Sequence, residues 1–155
     1  MEPVLADLAT TMPDLRELVR VLVRLLAALA VGALIGYERE KRGKAAGLRT
    51  HMLVSMGTTL FVVASIEGGM QEDATSRVIQ GIVTGVGFLG AGVIMKIHES
   101  RQIRGLTTAA GIWMTAAASV AIGLGQIGLG LIAAGLAWVV LAIMDRFEPE
   151  PKAED

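Results

Sequence analysis

Five apolar segments follow one another along this 155-residue chain, and they constrain its fold more than any other feature. They lie at about 18–37, 50–66, 78–97, 106–123 and 125–144. Each is close to the roughly 20 residues that an α-helix needs to cross a bilayer. One such segment could be a buried helix of a soluble protein. Five in succession, joined by short polar connectors, predict an all-α integral membrane bundle of about five transmembrane helices.

The composition agrees with a membrane domain and excludes several classes of function. Hydrophobic residues make up 53% of the chain, and its 19 glycines suit close packing of membrane helices. There are no cysteines, which excludes disulfides, thiolate catalysis and cysteine-bound metal. Zinc-protease, P-loop and nucleophile-elbow motifs are also absent from the sequence. We therefore expect no enzyme and no cofactor, and we divide the chain into a polar N-terminal segment at 1–17, a transmembrane domain at 18–145 and a disordered acidic tail at 146–155.

The distribution of basic residues predicts the orientation in the membrane. The loop at 37–51 holds five of the 14 Lys and Arg residues. Together with the connector at 96–104 and the C-terminal tail, it places ten basic residues on one side of the membrane and four on the other. Because basic connectors stay in the cytoplasm, we expect the N-terminus outside the cytoplasm and the C-terminus inside it.

Three arginines, Arg16, Arg20 and Arg24, lie on the less basic side and share one helical face. Two interpretations stay open for them. They belong to an interfacial helix and reach toward lipid headgroups, or they are buried and pair with a carboxylate or line a cavity. A signal peptide cleaved near Ala28-Leu29-Ala30 is the least favoured alternative, because cleavage would leave residues 31–37 stranded before the charged loop.

Small residues at helical spacing predict contacts between helices. Ala28, Gly32 and Gly36 form one stripe, which we expect to pack within the subunit or across a homodimer. A second packing group in the third segment comprises Gly81, Gly85, Gly87, Gly90 and Gly92.

Residues 85–90 also match the pattern GxGxxG. They lack the preceding strand and the later acidic residue that dinucleotide binding requires, so packing is the favoured interpretation. A break in this glycine-rich helix, which would expose backbone carbonyls to a cavity, stays open.

Polar residues at the membrane boundary predict a candidate functional site. Glu38 and Arg39 stand where the first segment ends, and Arg49, Thr50 and His51 stand where the second begins. An unpaired charge near the hydrocarbon is unfavourable, so we expect Glu38 to pair with Arg39 or Arg49. His51 would titrate near neutrality if it is exposed. Glu38 is the only tentative metal ligand.

Thr107 and Thr108 complete the predicted cytoplasmic site. They open the fourth segment, where either could cap the helix or, beside Arg101 and Arg104, favour an anion at the helix N-terminus. The basic loop lacks the aromatic residues that nucleic-acid binders use for stacking. We therefore expect anionic lipid headgroups as its partner, and no nucleic acid.

Two pairs of sequence blocks resemble the MgtC/SapB family. The first pair is GALIGYERE at residues 32–40 and AGLRTH at residues 46–51. The second pair is GFLGAGVI at residues 87–94 and GLTTAA at residues 105–110. The blocks occur in order, and the resemblance covers roughly residues 20–145.

The resemblance implies a small multi-pass protein of the bacterial inner membrane with about five helices. Family members are linked to growth under magnesium limitation, to virulence and to inhibition of ATP synthase. This chain stops after its fifth segment without the soluble C-terminal domain of longer members, so the resemblance does not carry the roles of that domain.

Two functions are compatible with these features. The first is a non-enzymatic modulator in magnesium homeostasis or stress adaptation, which packs as a homodimer or against another membrane complex such as ATP synthase. The alternative is a small channel or transporter for a cation such as Mg²⁺, which would then be a ligand or substrate. Its support is Glu38 together with hydroxyl residues in several segments, namely Ser55, Thr58, Thr59, Thr84 and Thr115.

Overall fold

The structure is a computed structural model that describes residues 14–97 and 102–144. It contains five helices, which are α1 (Leu15–Lys41), α2 (Leu48–Glu67), α3 (Glu72–Val93), α4 (Leu106–Gly123) and α5 (Ile127–Met144). Two short strands, β1 (Met95–Ile97) and β2 (Gln102–Arg104), lie between α3 and α4. The predicted N-terminal segment up to residue 13 and the predicted disordered tail at 146–155 lie outside the described residues.

Four of the five helices, α1 to α4, are long and apolar enough to cross a membrane, and α5 is a shorter apolar helix. The outward faces carry large apolar side chains, such as Phe61 and Phe88, which are 65% and 81% exposed. The buried side chains are mostly small or polar. Lipid can solvate large apolar groups but cannot satisfy polar ones. This distribution supports the predicted helical membrane bundle.

The helices run up and down between two ends of the bundle. We call the end with residues 42–47, 94–97 and 102–105 the loop end, and the end with residues 68–71 and 124–126 the opposite end. Helix α1 contacts α2, α4 and α5, and α4 also packs against α2 and α3. Half of the apolar α4 segment is buried, but only 11% of the α3 segment is. Helix α4 is therefore central, and α3 lies at the edge of the bundle.

Helix α1 begins earlier than the sequence predicts. Asp14 caps it, and the Asp14 backbone N–H donates to Glu17 Oε2 at 3.2 Å, which completes a capping box. This reciprocal arrangement satisfies two N–H groups that a helix start leaves without partners. The apolar segment predicted from residue 18 is thus part of a 27-residue helix that starts at Leu15.

The connector between α3 and α4 corrects two predictions. The third segment, predicted to reach residue 97, ends at Val93, and the chain then forms an antiparallel hairpin in which Met95 pairs with Arg104. Apart from these two strands of three residues each, the described chain is helical, as predicted. Thr107 and Thr108 do not cap α4, because its N-cap is Gly105 and both threonines lie in the first turn. Gly105 has φ 95°, and a Cβ there would lie 2.1 Å from the carbonyl oxygen of Val93, so only glycine fits.

Helix α3 is continuous from Glu72 to Val93, so residues 85–90 lie inside one helix. A dinucleotide fingerprint requires a turn between a strand and a helix, and this geometry excludes it here. The helix break that the glycines left open is also not seen.

The two predicted groups of packing residues have different surroundings. A Cβ at Gly32 would lie 2.6 Å from the backbone oxygen of His51, and one at Gly36 would lie 2.8 Å from the Cα of Leu48. With the buried Ala28, these glycines let α1 and α2 touch inside one chain, so this stripe does not form the interface of a homodimer. In α3 only Gly90 has a neighbour, the Cβ of Ala109 at 3.5 Å. The positions without a neighbour within 4 Å among the described residues are Gly81, Gly85, Gly87 and Gly92.

Candidate functional site

The centre of the candidate site is an ion pair between Glu38 and Arg39 in the last turns of α1. Arg39 Nε lies 2.5 Å from Glu38 Oε2, and the two residues are 1% and 6% exposed. Arg42 Nε approaches the other carboxylate oxygen, Glu38 Oε1, at 3.2 Å, without the angle of a hydrogen bond. One buried carboxylate is therefore held between two guanidinium groups. Of the two predicted pairings, Glu38 takes the one with Arg39.

Both arginines of this cluster also bind the end of α5. Arg39 Nη2 donates to the carbonyl oxygen of Leu141 at 3.1 Å, and Arg42 Nη2 donates to that of Ala142 at 3.1 Å. The last four carbonyls of a helix lack partners inside the helix and carry the negative end of its dipole. Two of these four carbonyls accept hydrogen bonds from guanidinium groups here. The cluster thus ties α1 to a helix about 100 residues later in the chain.

A second arginine cap lies at the opposite end of the bundle. Arg24 Nη1 donates to the carbonyl oxygen of Gly123, the last residue of α4, at 3.1 Å. Arg20 lies 3.8 Å from Glu67 at the end of α2, in a pair that is largely open to the surroundings and adds little stability. Arg24 therefore neither reaches away from the bundle nor pairs with a carboxylate. It caps a helix.

His51 is a fully buried residue in the first turns of α2, so the exposure that a sensor of cytoplasmic pH would need is not met. Its Nδ1 lies 3.0 Å from the carbonyl oxygen of Gly47. Its Nε2 faces Gly111 of α4, where a Cβ would lie 3.5 Å away, and has no hydrogen-bond partner among the described residues. His51 fills the space that Gly36 and Gly111 leave open between three helices.

Below His51, hydroxyl side chains join α1, α2 and α4 in a buried polar seam. Ser55 Oγ lies 2.5 Å from the carbonyl oxygen of Ala28 and 2.7 Å from Ser119 Oγ. Ser119 Oγ also lies 2.7 Å from the carbonyl oxygen of Thr115, and Thr59 donates to the carbonyl oxygen of Ser119 at 3.0 Å. Each hydroxyl has one proton to donate. Ser55 and Ser119 therefore share two protons among three contacts.

The remaining predicted site residues are not part of this cluster. Arg49, Thr50 and Thr107 are exposed, and Arg49 forms no ion pair with Glu38. Thr108 is buried in the first turn of α4. Arg101 lies outside the described residues, so the anion site at the start of α4 stays a prediction.

Three functional contacts escaped the sequence analysis. Arg42 was only counted there among the basic residues of the loop and Glu40 was not singled out. Arg42 caps α5, and Glu40 Oε2 accepts the Leu48 backbone N–H at 2.8 Å at the start of α2. Ser119 was not singled out, although it lies four residues after Thr115, a spacing that places both on one helical face. For Arg42 the sequence offers no comparable signal, because its partner is an ordinary backbone carbonyl.

The cluster is suited to hold helices together rather than to bind a metal ion. Mg²⁺ prefers one or two carboxylates together with water or phosphate oxygens, but the nearest charged neighbours of the Glu38 carboxylate are two guanidinium groups. Within residues 14–97 and 102–144, no group of three or more His, Asp or Glu side chains is placed to hold a metal.

The polar seam yields a stability prediction. Ser119→Ala removes one hydroxyl and leaves Ser55 bound to Ala28, so we expect a loss of about 0.5–1.5 kcal/mol in the free energy of unfolding. Thermal unfolding in detergent would measure it as a lowered Tm. The control is Ser76→Ala at an exposed position of α3, for which we expect a change within about 0.5 kcal/mol. Equal effects of the two substitutions would contradict a stabilising role for the seam.

Comparisons with known proteins agree with this architecture. The profile of the MgtC family matches residues 25–149. SrpB of Synechococcus elongatus is 43% identical over 136 residues, which cover 81% of this chain and 75% of SrpB. YhiD of Escherichia coli K12 is 45% identical over 132 residues, 79% of this chain and 59% of YhiD. MgtC of Salmonella typhimurium is 48% identical over 105 residues, 68% of this chain and 44% of MgtC.

The residues that match the family profile include most of α1 and all of α2 to α5. The matched part of the chain spans less than two thirds of YhiD and less than half of MgtC, so the activities of those whole proteins do not transfer directly. No solved structure shows significant similarity to this chain. The resemblance seen in the sequence blocks is confirmed over most of the chain, and this membrane protein belongs to the MgtC family.

Proposed function

We propose that this protein is a non-enzymatic protein of the bacterial inner membrane that acts in magnesium homeostasis or stress adaptation by contacting another membrane protein. ATP synthase is one candidate for that partner. In this proposal the loop end faces the cytoplasm, as the basic residues predict. The magnesium link rests on the family, within which YhiD carries a name that proposes magnesium transport.

The observation that favours a modulator over a transporter is the state of the Glu38 carboxylate. A hydrated Mg²⁺ keeps most of its water and needs a carboxylate that it can reach. The Glu38 side chain is only 8% exposed and lies between Arg39 and Arg42. The one acidic group that the sequence offered as a cation ligand is therefore already neutralised by the protein.

The open glycines of α3 supply a contact surface for such a partner. Gly81 and Gly85 line a cleft of about 470 Å³ between α2 and α3, beside Phe61 and Leu89. Glycine inside a helix costs about 0.5–1 kcal/mol relative to alanine, and no neighbour within 4 Å in the described part of the chain explains these two. Glycines let a second transmembrane helix approach closely. We therefore propose that a helix of another membrane protein packs here. The homodimer that the small-residue stripes predicted stays a prediction.

A matched pair of substitutions tests this surface. Gly85→Leu would fill the α3 cleft, and Gly128→Leu would add the same side chain to an open position of α5. In a bacterium whose own family member has been deleted, we expect Gly85→Leu to abolish growth support in low-magnesium medium and Gly128→Leu to retain it. A photo-crosslinker at Phe88 should capture a partner protein in the wild-type background and lose it with Gly85→Leu. Full activity of Gly85→Leu would contradict the proposed contact.

The second candidate function, a small cation transporter, is favoured by the polar seam in the centre of the bundle. Ser and Thr also hold membrane helices together, but polar groups inside a membrane bundle can line the path of an ion. Purified protein in liposomes with an internal Mg²⁺ indicator would separate the two functions. The modulator predicts no Mg²⁺ flux above that of empty liposomes. Flux that falls in Ser55→Ala and Ser119→Ala would favour the transporter and overturn the modulator.

A further inference from the structure

A cleft at the loop end lies between the last turns of α1 and α5. Its volume is about 510 Å³. The main side chains that line it are Tyr37, Lys41 and Arg42 from α1 and Trp138, Ala142 and Ile143 from α5. Basic, aromatic and aliphatic groups thus meet in one concave site. Arg42 and Ala142 take part in the cap of α5, but neither that cap nor the proposed partner surface on α3 accounts for Tyr37, Lys41 and Trp138.

The charge of this cleft suits an anion. Among the residues that the structure describes, Glu38 is the one acidic residue in its lining, and Arg39 and Arg42 lie against its two carboxylate oxygens. Lys41 is exposed and makes no ion pair or hydrogen bond with the rest of the described chain. After Glu38 is neutralised, the cleft retains the positive charge of Lys41 beside the partly exposed Arg42 guanidinium.

The apolar surroundings of the cleft distinguish a lipid from a soluble anion. Tyr37 and Trp138 are 64% and 39% exposed, and such aromatic side chains collect where the bilayer meets water. One to two helical turns deeper, Leu34 of α1 and Leu131 of α5 are also exposed, on the faces that Tyr37 and Trp138 occupy. A molecule bound here would meet basic groups at its head and apolar side chains along its body.

We propose that this cleft binds an anionic phospholipid, with its phosphate at Lys41 and Arg42 and its acyl chains along Leu34 and Leu131. Basic pockets between transmembrane helices bind anionic lipid headgroups, and here the basic groups lie at the membrane surface with apolar side chains deeper in the bilayer. The inference does not depend on the proposed function, because a modulator and a transporter could both bind such a lipid.

Trp138 allows a direct test, because it lines the cleft and the chain has only two tryptophans. In Trp113→Phe protein, all tryptophan fluorescence comes from Trp138. The protein is reconstituted in phosphatidylcholine vesicles that contain brominated phosphatidylglycerol or, separately, brominated phosphatidylcholine. Bromine quenches only nearby indoles, so the ratio of the two quenching curves reports which lipid occupies the cleft. We expect phosphatidylglycerol to be favoured about fivefold, the effect of one basic residue near the membrane surface.

Two variants of the Trp113→Phe protein complete the test. Lys41→Gln should bring the preference close to one, since it removes the unpaired cation of the cleft. Arg49→Gln removes an exposed cation from the same end of the bundle, outside the cleft, and should leave the preference unchanged. Equal quenching by the two lipids before any charge is removed would overturn the proposal. An equal loss of the lipid preference in both variants would also overturn it. Loss of the preference on addition of inorganic phosphate at constant ionic strength would overturn it too, because it would indicate a site for any phosphate.

Discussion

Arg39→Met is expected to destabilise the bundle by about 3–5 kcal/mol, because it leaves a buried carboxylate without its main partner. The Glu38 side chain is 8% exposed, and Arg39 is the closer of its two guanidinium partners, at 2.5 Å against 3.2 Å for Arg42. The substitution also frees the carbonyl of Leu141, which Arg39 satisfies at the end of α5. Thermal unfolding of the purified protein in detergent would show the loss as a large fall in Tm.

A double-mutant cycle separates the ion pair from the volume of the side chain. In Glu38→Gln/Arg39→Met no charge is left unpaired, so we expect the double variant to be more stable than Arg39→Met alone. The control is Arg49→Met, which removes an exposed arginine outside the cluster. It should change the free energy of unfolding by less than about 0.5 kcal/mol. If Arg39→Met unfolds at the same temperature as Arg49→Met, the ion pair is not a stabilising contact.

Gly32→Leu is expected to prevent the native packing of α1 on α2. Even a Cβ at this position would lie 2.6 Å from the backbone oxygen of His51 and 2.7 Å from the Cα of Met52. Both atoms belong to the backbone, so no side chain can rotate away and the two helices must separate. For Gly32→Ala we expect a loss of about 1–3 kcal/mol, and for Gly32→Leu a protein that elutes as aggregate in size-exclusion chromatography.

Gly85→Leu is the matched control for this prediction, because a Cβ at Gly85 meets nothing within 4 Å. In detergent, where a partner protein is absent, it should elute like the wild type and unfold at the same or a higher temperature, since leucine favours a helix more than glycine does. A normal elution profile for Gly32→Leu would contradict the close approach of α1 to α2, in which a Cβ at position 32 would lie 2.6 Å from the backbone oxygen of His51.

Much of the fold was predictable from hydropathy. The five apolar segments correspond to five helices, and the fourth matches its predicted bounds of 106 and 123. The third helix begins six residues before its predicted segment of 78–97 and ends four residues before the end of it, because Met95 and Ile97 prolong the apolar pattern in a β-strand that pairs with residues 102–104. Short apolar runs carry no information on whether they are helical or extended.

The candidate site was predictable in part. The cost of an unpaired charge correctly predicted that Glu38 pairs with an arginine, but it left Arg39 and Arg49 both open, and the structure has the pair with Arg39. Arg49 and Thr50 were grouped with that pair because they lie close in sequence, but α2 turns both outward. His51 was considered as an exposed group, and the glycines at 36 and 111 that enclose it lie on two other helices. Closeness in sequence therefore predicted where the cluster lies but not which residues belong to it.

The sequence by itself determined the class of protein, its helices and its family, because these depend on local hydropathy and on ordered blocks of residues. Only the tertiary structure decided the partners of the charged and small residues. Arg24, Arg39 and Arg42 each cap a helix that begins more than 60 residues later. Of two similar glycine groups, one is packed inside the chain and the other is open. A backbone carbonyl or an empty face leaves no mark in a sequence, so such contacts appear only when the helices are assembled.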